Sequence, residues 1–243
     1  MPRIVTYNVH RCVGNDRQLD VARIAAVLAE LEPDIVALQE LDVRRARTGH
    51  VDQAHEIAER LGMACHFHAA LRVEEELYGD AILTVYPERL IQSGPLPGHP
   101  RLPVLEPRGA LWVEVEIDGR PVQVINTHLG LVPREQQIQA RFLAGPSWLS
   151  HPRCTGPRIL LGDFNATGTS VVYRTLGARL HPARRLSPQR SPNWTFPSQL
   201  PVLCIDHLFV SPEIVVRDVF ADADPLARIA SDHLPLVMDF ELA

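Results

Sequence analysis

Apolar residues recur along the chain with two different periods, and these periods predict where its strands and helices lie. Nearly unbroken apolar runs at residues 3–9, 35–40 and 158–163 predict strands covered on both faces, because a half-exposed strand would alternate apolar with polar positions. Further strands are predicted at residues 64–70, 81–85, 206–210, 215–220 and 236–242.

The helical period appears in three segments. Residues 20–31 place apolar side chains three and four positions apart, and Pro33 closes the segment. A second helix is predicted over residues 53–61 with Gly62 as its terminator, and a third from Pro133 to about Leu143.

The middle of the chain carries a hairpin pattern preceded by an irregular loop. Residues 109–117 and 122–127 alternate around Asp118-Gly119, a pair that favours a tight turn. Five prolines between Gly94 and Gly109 predict an ordered but irregular loop. Strands outnumber helices and no repeat of fixed period occurs, so we predict central sheets with helices outside, in a single domain over residues 1–243.

Composition and charge narrow the classes of partner and chemistry. A length of 243 residues with 46% hydrophobic residues suits one large core. The net charge of -5 provides no global basic field, so tight non-specific binding to nucleic acid is not favoured. All 24 cationic residues are arginine, which excludes Schiff-base, Walker-type and lysine-nucleophile chemistry.

Cysteine usage and the start of the chain bear on the compartment. The four cysteines are far apart and form no C-x-x-C pair, so neither a zinc knuckle nor a disulfide framework is indicated. The chain opens on a strand-like segment without a signal-peptide pattern, and no apolar run reaches membrane-spanning length. We therefore expect a soluble, cytoplasmic protein, and its oligomeric state stays open.

Polar residues cluster at the ends of the apolar strands, and almost all of them are Asn, Asp, Glu or His. Because strand side chains alternate in direction, two polar residues that are two positions apart share a face. Three segments contain such a pair, Asn8 and His10, Asn126 and His128, and Asp163 and Asn165. Three further segments contribute Glu40, Asp206 beside His207, and Asp232 beside His233.

These residue types together point to a metal-assisted hydrolase. Any one segment could be a simple turn, since Asn and Asp satisfy local backbone donors. Six together are harder to explain in that way, because buried carboxylates are costly unless they are paired or bind a cation. Hard oxygen ligands suit Mg²⁺ or Mn²⁺ rather than zinc, and a His-Asp pair can move a proton near neutral pH. The pattern therefore predicts attack of water on a phosphate ester.

Seven motifs, in this order, resemble those of the endonuclease/exonuclease/phosphatase superfamily, which includes deoxyribonuclease I, exonuclease III, sphingomyelinases and inositol 5-phosphatases. They extend from residue 6 to residue 235 and read "TYNVH", "LQE", "YGDAILT", "NTHLG", "LLGDFN", "IDHLFVS" and "SDHLP". The resemblance implies an α+β fold, a four-layer α/β/β/α sandwich in which two mainly antiparallel sheets pack face to face.

The resemblance also implies a metal site. Glu40 matches the principal ligand of Mg²⁺ (or Mn²⁺), assisted by Asn8 and Asp232. Asp163 and Asn165 would orient the attacking water or a second metal ion.

The remaining matched residues are implied to act on the phosphoester. Asn126 would contact phosphate, and His233 resembles the catalytic histidine, oriented by Asp206. His128 resembles a second histidine that serves as an acid or phosphate-binding group, although the sequence shows no clear carboxylate partner for it. Asp80 departs from the asparagine or small residue common in relatives and would add negative charge.

Three functions compete at this stage. We favour a phosphoesterase acting on a small or lipid-like phosphodiester or phosphomonoester, and a nuclease is the alternative. An inactive binding module would lack one of Glu40, Asp163, Asp206 or His233, and all four are present.

Trp194 and Phe196 either stack on a base or cap the core. Two groups of arginines are candidates to grip a second phosphate, Arg44, Arg45 and Arg47, and Arg174, Arg179, Arg184, Arg185 and Arg190.

Overall fold

Two six-stranded sheets form the centre of the molecule. The structure is a computed structural model, and it describes residues 1–189 and 193–243. The strands in chain order are β1 (Arg3–Asn8), β2 (Ile35–Val43), β3 (Ala64–Val73), β4 (Glu76–Thr84), β5 (Glu88–Pro95), β6 (Gly109–Ile117), β7 (Arg120–His128), β8 (Arg158–Asp163), β9 (His181–Pro182), β10 (Asp206–Val210), β11 (Ile214–Ala221) and β12 (Leu236–Leu242).

The two sheets share one plan. The first has the order β11-β12-β1-β2-β4-β3 and the second the order β5-β6-β7-β8-β10-β9. Neighbouring strands are mostly antiparallel, while β1 pairs with β2 and β7 pairs with β8 in parallel. Parallel strands need a long crossover, and a helix supplies it in both cases.

The helices are α1 (Val21–Leu31), α2 (Gln53–Leu61), α3 (Pro133–Leu143), α4 (Val171–Gly177), α5 (Ala183–Leu186) and α6 (Pro225–Ala230). The first three confirm the predicted helices. α1 begins after Asp20, whose side chain accepts a hydrogen bond from the backbone N–H of Arg23, and ends at Glu32 in a left-handed conformation. The short helices α4 to α6 and strand β5 were not predicted, and β4 begins five residues before its predicted start at Ala81.

Three apolar layers hold the elements together. The central layer lies between the sheets and contains Ile4, Ile35 and Val124, whereas Val5 and Leu28 belong to the layer beneath α1. A third layer packs the second sheet against α3 and α4. Adjacent residues of β1 thus enter different layers, which explains its unbroken apolar run and confirms the predicted sandwich fold. Within the described residues, no helix is long and apolar enough to cross a membrane.

Candidate active site

The predicted site residues lie where the two parallel strand pairs end. Asn8 is the last residue of β1, and His128 and Asp163 are the last residues of β7 and β8. Asp206 begins β10 directly opposite Asp163 in the antiparallel register. Both sheets therefore direct polar side chains to one edge of the sandwich, where strands of parallel pairs end together.

A bulge in β2 brings Glu40 into this group. The pairing of β2 with β4 shifts register between Leu38 and Leu41, and Glu40 adopts a left-handed φ of 63°. Such bulges bend a strand and redirect a side chain, and they are frequent next to active sites. Glu40 is half-buried at the resulting bend.

Asn8 connects the carboxylates of the two sheets. Its Nδ2 donates to Glu40 Oε1 at 3.1 Å and to Asp163 Oδ2 at 3.0 Å. Its Oδ1 accepts the backbone N–H of His10 at 3.1 Å. Two predicted metal-site residues, Asn8 and Glu40, are thus in direct contact.

Asp232 lies beside the same strand end. Ser231, its neighbour, donates a hydrogen bond of 2.7 Å to the backbone carbonyl of Asn8. Asp232 Oδ1 is 3.9 Å from Nδ1 of His10, and 36% of the Asp232 side chain is exposed. The third predicted ligand therefore faces solvent more openly than Asn8 does.

His233 is held between two buried carboxylates. Its Nδ1 is 2.9 Å from Asp206 Oδ2, and its Nε2 is 3.7 Å from Asp163 Oδ2. Burial alone would lower the pKa of His233, but Asp206 and Asp163 outweigh burial and raise that pKa to about 10. Burial and the charge of Asp206 raise the pKa of Asp163 above its ordinary value. The ligand atoms of Asp163, Asp206 and His233 lie within 4.8 Å of one another, a spacing that could also hold a metal ion.

Asn165 supports this group from the segment after β8. Its backbone N–H donates to Asp163 Oδ1 at 2.8 Å, and its side-chain Nδ2 donates to the carbonyl of Leu129 at 3.0 Å. The residue adopts a left-handed φ of 47°, which turns the chain back toward the strand end. Asn165 therefore fixes the orientation of the Asp163 carboxylate.

The partner of His128 is an arginine that sequence reasoning missed. Arg108 Nη1 is 3.0 Å from His128 Nδ1 and 2.8 Å from Glu106 Oε1. A guanidinium can only donate, so Nδ1 of His128 accepts from Arg108 and Nε2 carries the proton. Nδ2 of Asn165 lies 3.1 Å from Nε2, and because both atoms then carry hydrogen this approach is a close contact and not a hydrogen bond. Burial, then the charges of Arg108 and His233, lower the pKa of His128 well below its usual range. His128 is therefore a neutral imidazole with its Nε2 3.5 Å from Asp163 Oδ2.

One signal could have pointed to Arg108. It stands in "EPRG", directly before β6, and β6 pairs with the strand that ends at His128. Glu76, the last of three consecutive glutamates, is a carboxylate that pairs with Arg45 at 3.4 Å.

Asn126 is fully buried between the sheets rather than open at the mouth. Its Nδ2 donates to the backbone carbonyls of Leu38 and Ala81, both at 2.9 Å, and its Oδ1 accepts from Gln39 Nε2 at 2.8 Å. A phosphate oxygen needs a donor, and both amide hydrogens of Asn126 are already used. These hydrogen bonds join the two sheets, and the predicted phosphate contact of Asn126 stays a prediction.

Asp80 lies beneath the bulge in β2. Burial raises the pKa of Asp80 to about 8, with Glu40 and Asp163 adding to the effect and Arg108 opposing it. The extra carboxyl group is thus close to the site as predicted, but with this pKa it is mostly neutral at pH 7 and does not add the predicted negative charge.

Several predicted phosphate-gripping arginines have internal partners. Arg47 forms two hydrogen bonds of 2.7 Å with Asp42, and Arg185 lies 5.3 Å from the centre of the Tyr173 ring. Arg44 and Arg179 are exposed. Arg190 lies outside the described residues.

Comparisons with known proteins identify the family to which the chain belongs. The family model described as Endonuclease/Exonuclease/phosphatase family matches residues 5–233. The chain belongs to this family. Its members hydrolyse phosphoester bonds, and the enzyme described here is accordingly a phosphoester hydrolase. No curated protein sequence matches it.

Solved structures share the fold of this family member over its whole length. An endonuclease/exonuclease/phosphatase from Beutenbergia cavernae DSM 12333 is 25% identical, with a TM-score of 0.81 over 100% of this chain and 72% of that one. A mannosyl-6-phosphatase from Bacteroides thetaiotaomicron VPI-5482 is 20% identical, with a TM-score of 0.76 over 100% of both chains. The human Nocturnin catalytic domain with bound sulfate is 22% identical, with a TM-score of 0.72 over 100% of this chain and 94% of that one.

Proposed function

We propose that the enzyme is a Mg²⁺- or Mn²⁺-dependent phosphoesterase that activates water to attack a small or lipid-like phosphoester. The observation that carries this proposal is the position of His233, buried between the carboxylates of Asp206 and Asp163 beside the Asn8–Glu40 contact. This combination offers a proton acceptor, a positive charge and metal ligands at one point.

Glu40 is the proposed principal metal ligand, with Asn8 and Asp232 beside it. Their oxygen atoms suit a hard cation, and the half-buried carboxylates leave room for bound water. A bound Mg²⁺ or Mn²⁺ would neutralise phosphoryl oxygens and stabilise the leaving group. His233 is a poor ligand, because an imidazole between two carboxylates keeps a proton on both nitrogens.

Asp163 and His233 have different proposed roles in catalysis. The raised pKa of Asp163 makes its carboxylate a better proton acceptor for the attacking water, and Asn165 orients it. The imidazolium of His233, held in place by Asp206, stabilises the negative charge that develops on the phosphoryl group.

His128 acts as a neutral hydrogen-bond donor to the phosphoester through Nε2. Arg108 is a positioning residue, since it fixes the tautomer of His128 without reaching the reacting atoms itself. The acid role implied for this histidine is thereby replaced by donation from an imidazole that stays uncharged.

The test is hydrolysis of a generic, water-soluble phosphodiester with and without chelator. We expect activity that requires Mg²⁺ or Mn²⁺ and that falls by about 10²- to 10⁴-fold in His233→Ala and in Asp163→Asn, because each removes a proton-transfer or charge-stabilising group. His55→Ala changes an exposed histidine on α2 and serves as the matched control. Full activity in either folded site variant would refute the assignment.

A nuclease is the second candidate. Residues 164–205 contain five arginines and no acidic residue, which favours contact with a polyanion. Incubation with supercoiled, abasic and single-stranded DNA tests this candidate. It fails if none of them is cut while small esters are hydrolysed.

A further inference from the structure

A loop with an unusual surface adjoins the candidate active site. Residues 194–203, here called the apolar loop, expose four large apolar side chains within ten positions. Their exposed fractions are 45% for Trp194, 72% for Leu200, 55% for Val202 and 41% for Leu203. Single exposed apolar residues are normal, but a cluster in one segment marks an interaction surface.

The apolar loop is attached directly to the catalytic segment. The backbone N–H of Ser198 donates to the carbonyl of Asp232 at 2.7 Å, and that of Leu234 donates to the carbonyl of Thr195 at 2.8 Å. The ring centre of Phe196 lies 4.9 Å from that of His233. These two hydrogen bonds and the ring contact therefore hold the exposed side chains of the apolar loop beside His233.

Arg228 also holds the apolar loop in place through hydrogen bonds. Its Nη1 donates to the carbonyls of Ser198 and Gln199, both at 3.0 Å. These carbonyls belong to the turn that carries Leu200. The exposure of Leu200 thus results from an ordered turn that points its side chain outward.

Exposed apolar residues also occur in the segments next to His128 and Arg108 in the chain. Leu131 follows three residues after His128 and is 70% exposed. Val104 is 89% exposed in the loop that leads to Arg108, the partner of His128. Exposed apolar side chains therefore occur in segments of the chain that adjoin both histidines.

The segment that leads into the apolar loop is positive although the chain as a whole carries -5, and Arg184 lies close to Cys204, the residue that follows the loop. Arg184 and Arg185 are exposed shortly before the loop, and residues 164–205 contain no acidic residue. This surface would repel a cationic partner and attract an anionic one. Arginine next to exposed tryptophan and leucine is the composition that binds at a lipid headgroup boundary.

We propose that the apolar loop docks on an anionic phospholipid bilayer and that the substrate of the adjoining site is a phospholipid phosphoester. The inference rests on the proposed phosphoesterase function and names its substrate class. A phospholipid carries a phosphoester immediately beside apolar surface, which matches a site edged by Trp194, Leu200 and Val202. Nucleic acid fits less well, because it offers the loop no aliphatic surface to cover Leu200 and Val202.

Trp194 provides a direct optical test. The other two tryptophans, Trp112 and Trp148, are 0% and 1% exposed, so a change of emission on docking reports Trp194. We expect a blue shift when the protein, kept in chelator to prevent turnover, meets vesicles of phosphatidylcholine and phosphatidylglycerol. The shift should be much smaller with phosphatidylcholine alone and absent in Trp194→Phe.

Cosedimentation of variants with the same mixed vesicles supplies the second readout. The double variant Leu200→Ser/Val202→Ser should bind at least about tenfold more weakly, because two apolar side chains lose their burial in the bilayer. Val85→Ser is the matched control, since Val85 is 52% exposed beyond the opposite end of β4. Hydrolysis of a water-soluble phosphodiester should be unchanged in both variants.

The outcomes separate this inference from the proposed function. Hydrolysis of the soluble ester without vesicle binding or a Trp194 shift overturns the docking and leaves the phosphoesterase intact. Vesicle binding with no hydrolysis of any ester overturns the phosphoesterase instead. A Trp194 shift caused by single-stranded DNA but not by vesicles assigns the loop to nucleic acid and refutes bilayer docking. A shift caused by raising the protein concentration alone assigns the loop to contact with a second copy and also refutes bilayer docking.

Discussion

The guanidinium of Arg108 faces Nδ1 of His128 and can only donate to it. Replacement of Arg108 by methionine keeps most of the side-chain length and removes the donor. We expect His128 in Arg108→Met to populate both neutral tautomers and to accept a proton more readily, since the repelling positive charge is gone. Catalysis should fall by about 10- to 100-fold, as is usual when the partner that orients a functional histidine is lost.

Nitrogen NMR of His128 measures the tautomer directly and distinguishes positioning from a general loss of structure. Arg153→Met, which alters an exposed arginine, is the control and should leave both tautomer and rate unchanged. A single Nε2–H tautomer that persists in Arg108→Met would show that another group orients the ring.

A second residue-scale prediction concerns His207, which is buried among Phe164, Tyr173 and Phe209. Burial lowers the pKa of His207 to about 4, and the bond to the carbonyl of Ala166 offsets only part of this effect. Between that pKa and the unfolded value near 6.5, the unfolded chain binds a proton that the folded chain does not. The free energy of unfolding should therefore fall with decreasing pH across this window, by up to about 1.4 kcal/mol per pH unit from this residue.

Denaturant unfolding at several pH values tests the sign. His207→Phe should remove this part of the pH dependence, so that the variant loses less stability than the parent between pH 6.5 and about 4. His55→Phe, at an exposed position on α2, should retain the parental slope. An unchanged slope in His207→Phe would mean that other groups account for the acid sensitivity.

Sequence reasoning found most side chains that meet at the site, because their residue types are rare at the ends of buried strands. The contact of Asp206 with His233 and the meeting of Asn8, Glu40 and Asp163 follow from strands that end together. Arg108 and the internal bonds of Asn126 could not be foreseen in this way. Both depend on which strands become neighbours, and a one-dimensional pattern does not contain that information.

At the scale of elements, the glycine of "LLGDFN" permits the close approach of β8 to β7. Gly162 has a φ of 141°, and a Cβ atom there would lie 1.8 Å from the carbonyl oxygen of Thr127. Gly162→Ala should therefore lower the free energy of unfolding by more than about 3 kcal/mol, since backbone strain and overlap act together. Denaturant unfolding measures the loss.

The chain offers a matched control for this substitution. A Cβ atom added at Gly98 would meet no heavy atom within 4 Å, and the φ of Gly98 lies outside the left-handed region. Gly98→Ala should therefore change stability by less than about 0.5 kcal/mol. If Gly162→Ala lowered the free energy of unfolding equally little, β7 and β8 would be able to move apart at this point without destabilising the protein. The parallel pair would then be looser than its register indicates.

Elements with a strong period were predictable, and short or edge elements were not. α1 and α3 span three turns each, enough for the 3.6-residue period to appear, whereas α5 has four residues. β5 lies at the edge of the second sheet with several exposed positions, so neither an apolar run nor a clean alternation marks it. Central sheets with helices outside were predictable because the long central strands are buried on both faces, whereas the four-layer sandwich was implied by the family resemblance.

At the scale of the whole molecule, the two sheets bring negative charge to one edge. Glu40 and Asp80 come from the first sheet, and Asp163 and Asp206 come from the second. Burial, and to a smaller extent the neighbouring carboxylates, raise the pKa values of Asp80 and Asp163, so keeping these buried groups charged without a cation costs free energy. A bound divalent ion would thus stabilise the folded state, independently of any role in catalysis.

Thermal unfolding with Mg²⁺ and with chelator tests this property of the whole fold. Mg²⁺ at a hundredfold excess over its dissociation constant should stabilise the parent by about 2.7 kcal/mol, because the ion binds the folded state alone. Glu40→Gln should lose most of this gain. In chelator it should unfold at a slightly higher temperature than the parent, since one of the four converging carboxylates is gone. A full Mg²⁺ shift in Glu40→Gln, together with its loss in Asp163→Asn, would place the ion among Asp163, Asp206 and His233 instead.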